Sequence, residues 1–226
     1  IKHFLLIIMK FSRVVFCDFD GTITTQDTFI TMIEKFAPEV SAQLLPMIFI
    51  RQITLKEGVQ QTLGSISTNY YSQIIEHTGH QPIRAGLKEF LDFLNYIKIP
   101  CVVISGGLTD VVKALLERQQ LINKIAGIYA GEVDRTGQYL RVYSSIESDT
   151  ELVAKVKAMG KYPATEKIAI GDSVTDINMA LAADLVFARD RLMRYLDDEK
   201  KSYVQWQDFF DVRDHLASRW QIYFYN

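Results

Sequence analysis

Cysteine is scarce in this sequence, and its two residues are too few for a disulfide framework or for a zinc site with four cysteine ligands. Apolar runs are short as well, and none reaches the ~18 residues that a membrane-spanning helix needs. Neither sign of charge is in excess, because 25 Lys and Arg stand against 27 Asp and Glu for a net charge of −2. The totals therefore provide no broad basic surface, and we expect neither nucleic acid nor a membrane as a partner.

The residues that are present are those of a globular protein. Hydrophobic residues make up 48% of the chain and charged residues 23%, which argues against disorder and against a coiled coil. The length of 226 residues suits one large domain, or a core with a modest insertion.

The chain begins with an apolar stretch, IKHFLLII, ahead of Met9. This stretch is short for a signal peptide, and no small-residue cleavage site follows it. We interpret residues 1–8 as an extension that the fold does not need; an extra strand or a docked arm is the alternative. A cytoplasmic location is the default expectation.

Continuous apolar runs alternate with helical patterns along most of the chain. The runs are typical of strands that are buried on both faces of a parallel sheet. They are Val14–Cys17, Ile99–Ile104, Ile168–Ile170 and 184–187. The helical patterns cover 87–97, 109–119, 151–159 and 177–183. This alternation predicts an α/β fold, a Rossmann-like doubly wound parallel sheet with right-handed crossovers.

One stretch breaks the alternation. Residues 26–81 contain no convincing buried strand and consist of four helical pieces separated by proline and glycine. We therefore predict an all-helical subdomain inserted into a core made of residues 9–25 and 82–226. An elaborate first crossover packed on the sheet is the alternative, although crossovers are typically much shorter. Within the core, residues 128–143 predict a β-hairpin, because Asp-Arg-Thr-Gly interrupts two apolar runs.

Carboxylates, a hydroxyl group and glycines follow three of the predicted strands, and ligands of open α/β sheets bind at the carboxyl ends of the strands. Asp18 and Asp20 are two positions apart and share one face of an extended chain, while Ser105 follows the second strand and Asp172 and Asp176 a later one. Each group alone could be an acidic turn, a plain turn or a helix cap. Converging carboxylates repel one another unless a cation neutralises them, and oxygen ligands without histidine or cysteine favour Mg²⁺. The cluster therefore predicts a magnesium site that binds a phosphate group.

The same segments resemble a known family. DFDGT at 18–22, Ser105 and GDSVTD at 171–176 are similar to the first, second and fourth motifs of the haloacid dehalogenase-like phosphatases, over most of the chain. The resemblance implies a Rossmann-like core with a helical cap of the C1 type at 26–81, as in phosphoserine phosphatases. More narrowly, these motifs with LKEGV at 55–59 and FARD at 187–190 resemble the methionine-salvage phosphatases that act on 2-hydroxy-3-keto-5-methylthiopentenyl 1-phosphate.

The resemblance implies a role for each aspartate. Asp18 would be the nucleophile that forms an aspartyl phosphate, and Asp20 would be the general acid and then the general base. The carboxylates of Asp18 and Asp172, with the backbone carbonyl of Asp20, would hold Mg²⁺, and Asp176 would support the metal site. The expected substrate is a small phosphate monoester. A phosphatase for phosphoserine or another amino-alcohol phosphate is the alternative, and a catalytically silent phosphate-binding regulatory protein is the alternative of another class.

Ser105 and the amide of Gly106 would hold the phosphoryl oxygens. The third motif departs from the family, because no lysine stands at the first position of the helix predicted at 151–159. Lys155 is the preferred candidate, Lys157 is the second, and solvated surface lysines are the alternative for both. The chain also lacks the cysteine-rich insertion that some methionine-salvage relatives carry before this helix, which weakens that substrate assignment.

Four residues of the predicted cap are candidates for substrate specificity. Asp27 stands where phosphoserine phosphatases place a glutamate that meets the substrate amine, but it is equally a helix N-cap. Arg51, Lys56 and Glu57 are further candidates, with a solvated helix face as the alternative for each. The aromatic end WQIYFYN at 220–226 has two interpretations, a frayed terminus or a subunit contact of a homodimer.

Overall fold

The computed structural model describes residues 11–50 and 52–222. The predicted extension at 1–8, the specificity candidate Arg51 and the last four residues of the aromatic end lie outside the described residues. Within the described ranges, no helix combines the length and the apolar character that a membrane span requires.

A mostly parallel sheet forms the centre of the molecule. Within the part of the chain that the structure describes it has seven strands in the order β4-β3-β2-β1-β5-β6-β7. Every neighbouring pair is parallel except β3 and β4. The strands are β1 (Phe11–Cys17), β2 (Cys101–Leu108), β3 (Gly127–Asp134), β4 (Arg141–Tyr143), β5 (Ala164–Gly171), β6 (Leu185–Ala188) and β7 (Val204–Gln205). The central position of β1 explains its apolar run, because Val14, Val15 and Phe16 are wholly buried.

Helices connect the strands, as the alternating pattern predicts. Those of the insertion are α1 (Thr28–Phe36), α2 (Pro38–Phe49), α3 (Leu55–Leu63) and α4 (Tyr71–Thr78). Those of the core are α5 (Leu87–Tyr96), α6 (Thr109–Arg118), α7 (Lys155–Gly160), α8 (Ile177–Leu181), α9 (Asp190–Asp198) and α10 (Phe209–Arg219). The prediction of an α/β fold with a parallel sheet is confirmed.

The insertion is helical and leaves the core through two adjacent chain passages. Thr24 and Ile83 form an antiparallel bridge, and Arg84 N donates to Ile23 O at 2.8 Å. On its other side the insertion contacts the β3–β4 hairpin, where Leu140 N donates to Ile66 O at 3.0 Å. The division into a core and a movable cap stays a prediction.

Two elements differ from the sequence-based expectation. Strand β2 does not end before Ser105 but continues to Leu108, with a register shift after Ile104 where it pairs with β3. Helix α7 begins at Lys155 instead of residue 151, because residues 151–154 are tied to the preceding loop: Ala154 N donates to Ile146 O at 3.0 Å. Pairing with β3 extends β2, and hydrogen bonds within the preceding loop delay α7, so in both cases context overrides the local pattern.

Candidate active site

The predicted site residues meet at the carboxyl ends of β1 and β5. Asp18 follows β1 directly and is 2% exposed, and its amide donates to Ile170 O at 2.9 Å. Asp172 follows β5, and Asp176 closes the short turn that leads into α8. Parallel strands end at the same edge of the sheet, so residues more than 150 positions apart in sequence come into one cluster.

Lys155 supplies the cation of this cluster. Its Nζ donates to Asp18 Oδ1 at 2.5 Å and to Asp176 Oδ1 at 2.6 Å, and the side chain is 1% exposed. Burial opposes its charge, but the two carboxylates outweigh it and raise the pKa of Lys155 above its ordinary value. Lys157 lies elsewhere: it is exposed, and its Nζ donates to Glu147 O at 2.6 Å.

Asp176 braces the loop after β5. Its Oδ2 accepts hydrogen bonds from Asp172 N at 3.0 Å and Ser173 N at 3.1 Å, and Oδ1 binds the lysine. The carboxylate approaches so closely that a Cβ atom on Gly171 would lie 2.6 Å from its Cγ. Glycine is required at position 21 for the same reason, because a Cβ atom there would overlap the Asp172 carboxylate. Gly21 also has a φ of +79°, which favours glycine. Glycines at these two positions let backbone and carboxylates pack together.

The cluster has the chemistry of a cation site. One carboxylate oxygen from each of Asp18, Asp172 and Asp176 lies within 4.8 Å of the others. Asp18 Oδ2 is buried and has no hydrogen-bond partner among the described residues. Burial and neighbouring carboxylates raise the pKa of Asp18 to about 8 and that of Asp172 to about 9. One ammonium thus leaves negative charge unbalanced, and these oxygen ligands fit a hard divalent cation.

Asp20 is held from both sides. Its Oδ1 accepts hydrogen bonds from the backbone N, at 3.0 Å, and the hydroxyl of Thr28, and its Oδ2 accepts from Ser105 Oγ at 2.9 Å. Burial raises the pKa of Asp20, while these hydrogen bonds act against that shift. Its carboxylate is not one of the three whose oxygens lie within 4.8 Å of one another, and its backbone carbonyl stays the predicted metal ligand.

Ser105 is wholly buried, and its hydroxyl is engaged twice. It donates to Asp20 and accepts from Gly107 N at 2.9 Å. Ser105 is predicted to hold a phosphoryl oxygen. In this structure its hydroxyl is already hydrogen-bonded to Asp20, a candidate catalytic residue. Gly106 lines the open cavity beside the cluster, and binding of phosphate by its amide stays a prediction.

A cavity of about 280 Å³ opens over the carboxylates. Its described wall from the insertion contains Asp27 and six apolar residues, which are Phe29, Ile30, Leu45, Ile48, Leu55 and Val59. We call these six the apolar roof. Asp27 is an N-cap as predicted, since its Oδ1 accepts from Ile30 N at 2.9 Å; it also lines the cavity, and its contact with a substrate stays a prediction. Burial and the charge of Asp20 raise the pKa of Asp27 to about 7.

Lys56 and Glu57 do not line this cavity. The amide of Lys56 donates to Thr150 O at 3.1 Å, and its ammonium pairs with Glu147 at 3.3 Å, so Lys56 ties α3 to the core. Glu57 is part of the exposed capping box of α3 with Thr54. The side chain of Glu57 therefore serves the helix N-terminus. The pattern T-x-x-E at 54–57 is the sequence signature of such a capping box.

Three residues near the site were missed. Thr28 binds Asp20, while Glu151 and Arg191 line the cavity. Glu151 accepts a hydrogen bond from Asn178 Nδ2 at 3.3 Å. For Arg191 a signal existed, because it directly follows the motif FARD; Thr28 and Glu151 carry no local signal.

Comparisons with known proteins identify the family of this chain. A model of the haloacid dehalogenase-like hydrolases matches residues 15–181. A protein of Microcystis aeruginosa (strain NIES-843 / IAM M-2473), named 2-hydroxy-3-keto-5-methylthiopentenyl-1-phosphate phosphatase, is 49% identical over 208 residues, which cover 92% of this chain and 99% of that protein. A Bacillus cereus (strain 03BB102) protein of the same name is 36% identical over 214 residues, covering 89% and 94%.

Solved structures show the same fold. A phosphoserine phosphohydrolase-like protein from Francisella tularensis aligns with a TM-score of 0.68 at 19% identity, over 93% of this chain and 99% of that one. At this identity the likeness concerns the fold alone. Because the family model spans most of the chain and the sequence relatives match nearly all of it, the protein belongs to the haloacid dehalogenase-like hydrolases.

Proposed function

We propose that this protein is a magnesium-dependent phosphomonoesterase that hydrolyses a small phosphorylated metabolite through an aspartyl phosphate on Asp18. The observation that carries the proposal is the state of the Asp18 carboxylate. One oxygen is held by Lys155, the other is buried without a hydrogen-bond partner among the described residues, and the side chain lines the cavity. A fixed carboxylate beside a cation site is what covalent phosphoryl transfer requires.

The reaction has two steps. In the first, the Asp18 carboxylate attacks phosphorus, the bond from phosphorus to the leaving oxygen breaks, and Asp20 gives that oxygen a proton. In the second, Asp20 takes a proton from water, whose oxygen attacks phosphorus, and the bond to Asp18 breaks with release of phosphate. Burial raises the pKa of Asp20, which favours the protonated form that the first step uses.

The remaining site residues orient the reacting groups or neutralise their charge. Lys155 fixes the Asp18 carboxylate, Asp176 fixes the loop that carries Asp172, and the Gly106 amide faces the phosphoryl group. Mg²⁺, when bound by Asp18, Asp172 and the Asp20 carbonyl, would neutralise charge on the transferring phosphoryl group.

For the substrate, we favour 2-hydroxy-3-keto-5-methylthiopentenyl 1-phosphate or a close analogue. The Microcystis and Bacillus relatives that carry this name support the choice. The apolar roof supports it independently, because a methylthio group is apolar and would be buried there.

Phosphoserine is the second candidate. The observation that favours it is Asp27, a carboxyl group in the cavity wall that could meet an ammonium group. Against it, the other described cavity residues of the insertion are apolar. A phosphoserine head group would therefore lose hydration against the apolar roof without gaining a polar partner from it.

The test is phosphate release from three esters: the methylthiopentenyl phosphate, phosphoserine and p-nitrophenyl phosphate. Each is measured with Mg²⁺ and after chelation, beside an Asp18→Asn variant whose fold is checked by circular dichroism. We expect magnesium-dependent release, highest kcat/KM for the methylthio ester, and a loss of more than about 10³-fold in the variant. Release by Asp18→Asn within tenfold of the parent would exclude Asp18 as nucleophile. No release from any ester would favour the silent phosphate-binding alternative.

The homodimer and the cytoplasmic location stay predictions.

A further inference from the structure

Arg84 lies where the chain returns from the insertion to the core, beside the turn that follows Asp20. Its guanidinium donates to three backbone oxygens of that turn. Nε donates to Thr22 O at 2.9 Å, and Nη2 to Gly21 O at 2.5 Å and to Thr24 O at 3.4 Å. The side chain of Arg84 therefore binds the carbonyl groups of Gly21, Thr22 and Thr24, while its backbone N donates to Ile23 O.

The turn needs such a partner. Gly21 adopts φ +79°, and the chain reverses over these residues, so its carbonyls do not enter the sheet. The amides of Thr22 and Thr24 both donate to Phe19 O, at 3.3 and 3.0 Å. The amides of Thr22 and Thr24 are thus hydrogen-bonded to the backbone, and the carbonyls of Gly21, Thr22 and Thr24 are hydrogen-bonded to the Arg84 side chain. Half-buried carbonyl groups without a partner are costly.

Arg84 is itself held by Trp206 and Gln207, which do not line the substrate cavity. Its guanidinium lies 5.4 Å from the Trp206 ring, and that of Arg189 lies 5.3 Å from the same ring. Both also donate to Gln207 O, at 3.5 and 2.7 Å respectively. Trp206 is 2% exposed, so the aromatic support is rigid. Arg84 does not line the cavity described above.

We propose that Arg84 is a positioning residue that holds the 21–24 turn and thereby positions Asp20, whose carboxyl group protonates the leaving oxygen. It touches neither the substrate nor the reacting atoms. The proposal rests on the proposed function, because it assumes that Asp20 protonates the leaving oxygen. A guanidinium suits the task because its planar fork presents several donors at once, whereas an ammonium presents a single charged point.

The test uses Arg84→Gln and Arg84→Lys in the full chain. An alkyl phosphate needs a proton on its leaving oxygen, while p-nitrophenolate leaves without one. Arg84→Gln should therefore lower kcat/KM about ten- to hundredfold for the alkyl ester and clearly less for p-nitrophenyl phosphate. Arg84→Lys should recover part of the loss. Hydrogen exchange at the amides of Thr22 and Thr24 should be faster in Arg84→Gln.

Arg13→Gln is the matched control. Arg13 also lies over a tryptophan, 4.7 Å from the Trp220 ring, and pairs with Glu166 at 3.1 Å, but it is on β1 before the buried run. It should alter neither the ratio between the two esters nor exchange in the turn. Arg189→Gln separates the two sets of contacts of Arg84, because Arg189 shares Trp206 and Gln207 but not the turn. It should leave the ratio between esters unchanged.

Two results would overturn the positioning role. The first is an equal loss on both esters in Arg84→Gln, which would make Arg84 a stabilising residue only. The second is unchanged exchange in the turn. If the unaltered protein releases no phosphate from any ester, the proposed function itself fails, and the exchange measurement still decides whether Arg84 holds the turn.

Discussion

The ammonium of Lys155 lies 2.5 Å from Asp18 Oδ1, although 137 positions separate the two residues in sequence. The same ammonium reaches Asp176 at 2.6 Å, so one buried cation joins the end of β1 to the loop after β5. The pair is buried almost completely. Water cannot reach this pair to solvate the charges. Removing one partner therefore leaves an uncompensated charge inside the protein.

Lys155→Met should therefore destabilise the metal-free protein strongly. Asp18 and Asp176 would lose their common counter-charge, which typically costs about 3–5 kcal/mol for a buried pair. Lys157→Met is the matched control, because Lys157 is exposed, and a surface change of this kind is usually worth less than about 0.5 kcal/mol. Urea unfolding followed by circular dichroism measures both. Equal unfolding midpoints for the two variants would contradict the buried ion pair.

Mg²⁺ should stabilise the protein. The raised pKa values of Asp18 and Asp172 reflect burial and crowded negative charge. A cation that binds only the folded state adds about 2.7 kcal/mol at 100 times its Kd. Asp172→Asn should abolish the shift in Tm. Asp184→Asn should retain it, because Asp184 precedes β6 at the other end of the strands and binds Lys167 N. Calorimetric titration with Mg²⁺ checks the same comparison.

Excess Ca²⁺ should inhibit hydrolysis. It accepts more ligands in a looser geometry than Mg²⁺, which would let the metal chelate the nucleophile of the reaction. Phosphate release at fixed Mg²⁺ and rising Ca²⁺ measures the effect. Full activity after exhaustive chelation of divalent ions would contradict the metal site altogether.

The apolar roof should select the leaving group. Leu55→Ala removes a roof side chain and should lower kcat/KM for the methylthio ester about ten- to 200-fold, the usual range for lost apolar contact in a pocket. The kcat/KM of Leu55→Ala for p-nitrophenyl phosphate should change by a different factor. Glu57→Ala on the same helix should cost about 1 kcal/mol of stability through the capping box without changing the ratio between substrates. A common factor for all esters in Leu55→Ala would exclude this residue from substrate selection.

Ser105→Ala distinguishes two roles of the hydroxyl. If Ser105 acts by holding Asp20, as the 2.9 Å hydrogen bond indicates, the loss should be about tenfold or more for an alkyl phosphate and smaller for p-nitrophenyl phosphate. If it binds the phosphoryl group, both esters should lose equally. Ser65→Ala is the control, because that hydroxyl donates only to the Thr62 carbonyl within the insertion. Steady-state kinetics on the two esters decides.

The sequence by itself determined the α/β architecture and the location of the chemistry. Buried apolar runs of a parallel sheet are continuous, so β1 and β5 could be recognised locally, and the strand ends carry their carboxylates with them. The helical character of residues 26–81 could also be recognised locally, because the helical pieces are separated by proline and glycine. The family resemblance rested on these same short segments.

Only the tertiary structure decided which polar group meets which. Lys155 and Lys157 are near neighbours in sequence, yet only the late start of α7 turns Lys155 into the cluster. The Ser105 hydroxyl could have faced a ligand, but Asp20 and Gly107 engage it. Arg84 had no sequence signal at all. Such contacts join segments that are distant along the chain, and their geometry depends on how buried surfaces pack, which local spacing does not encode.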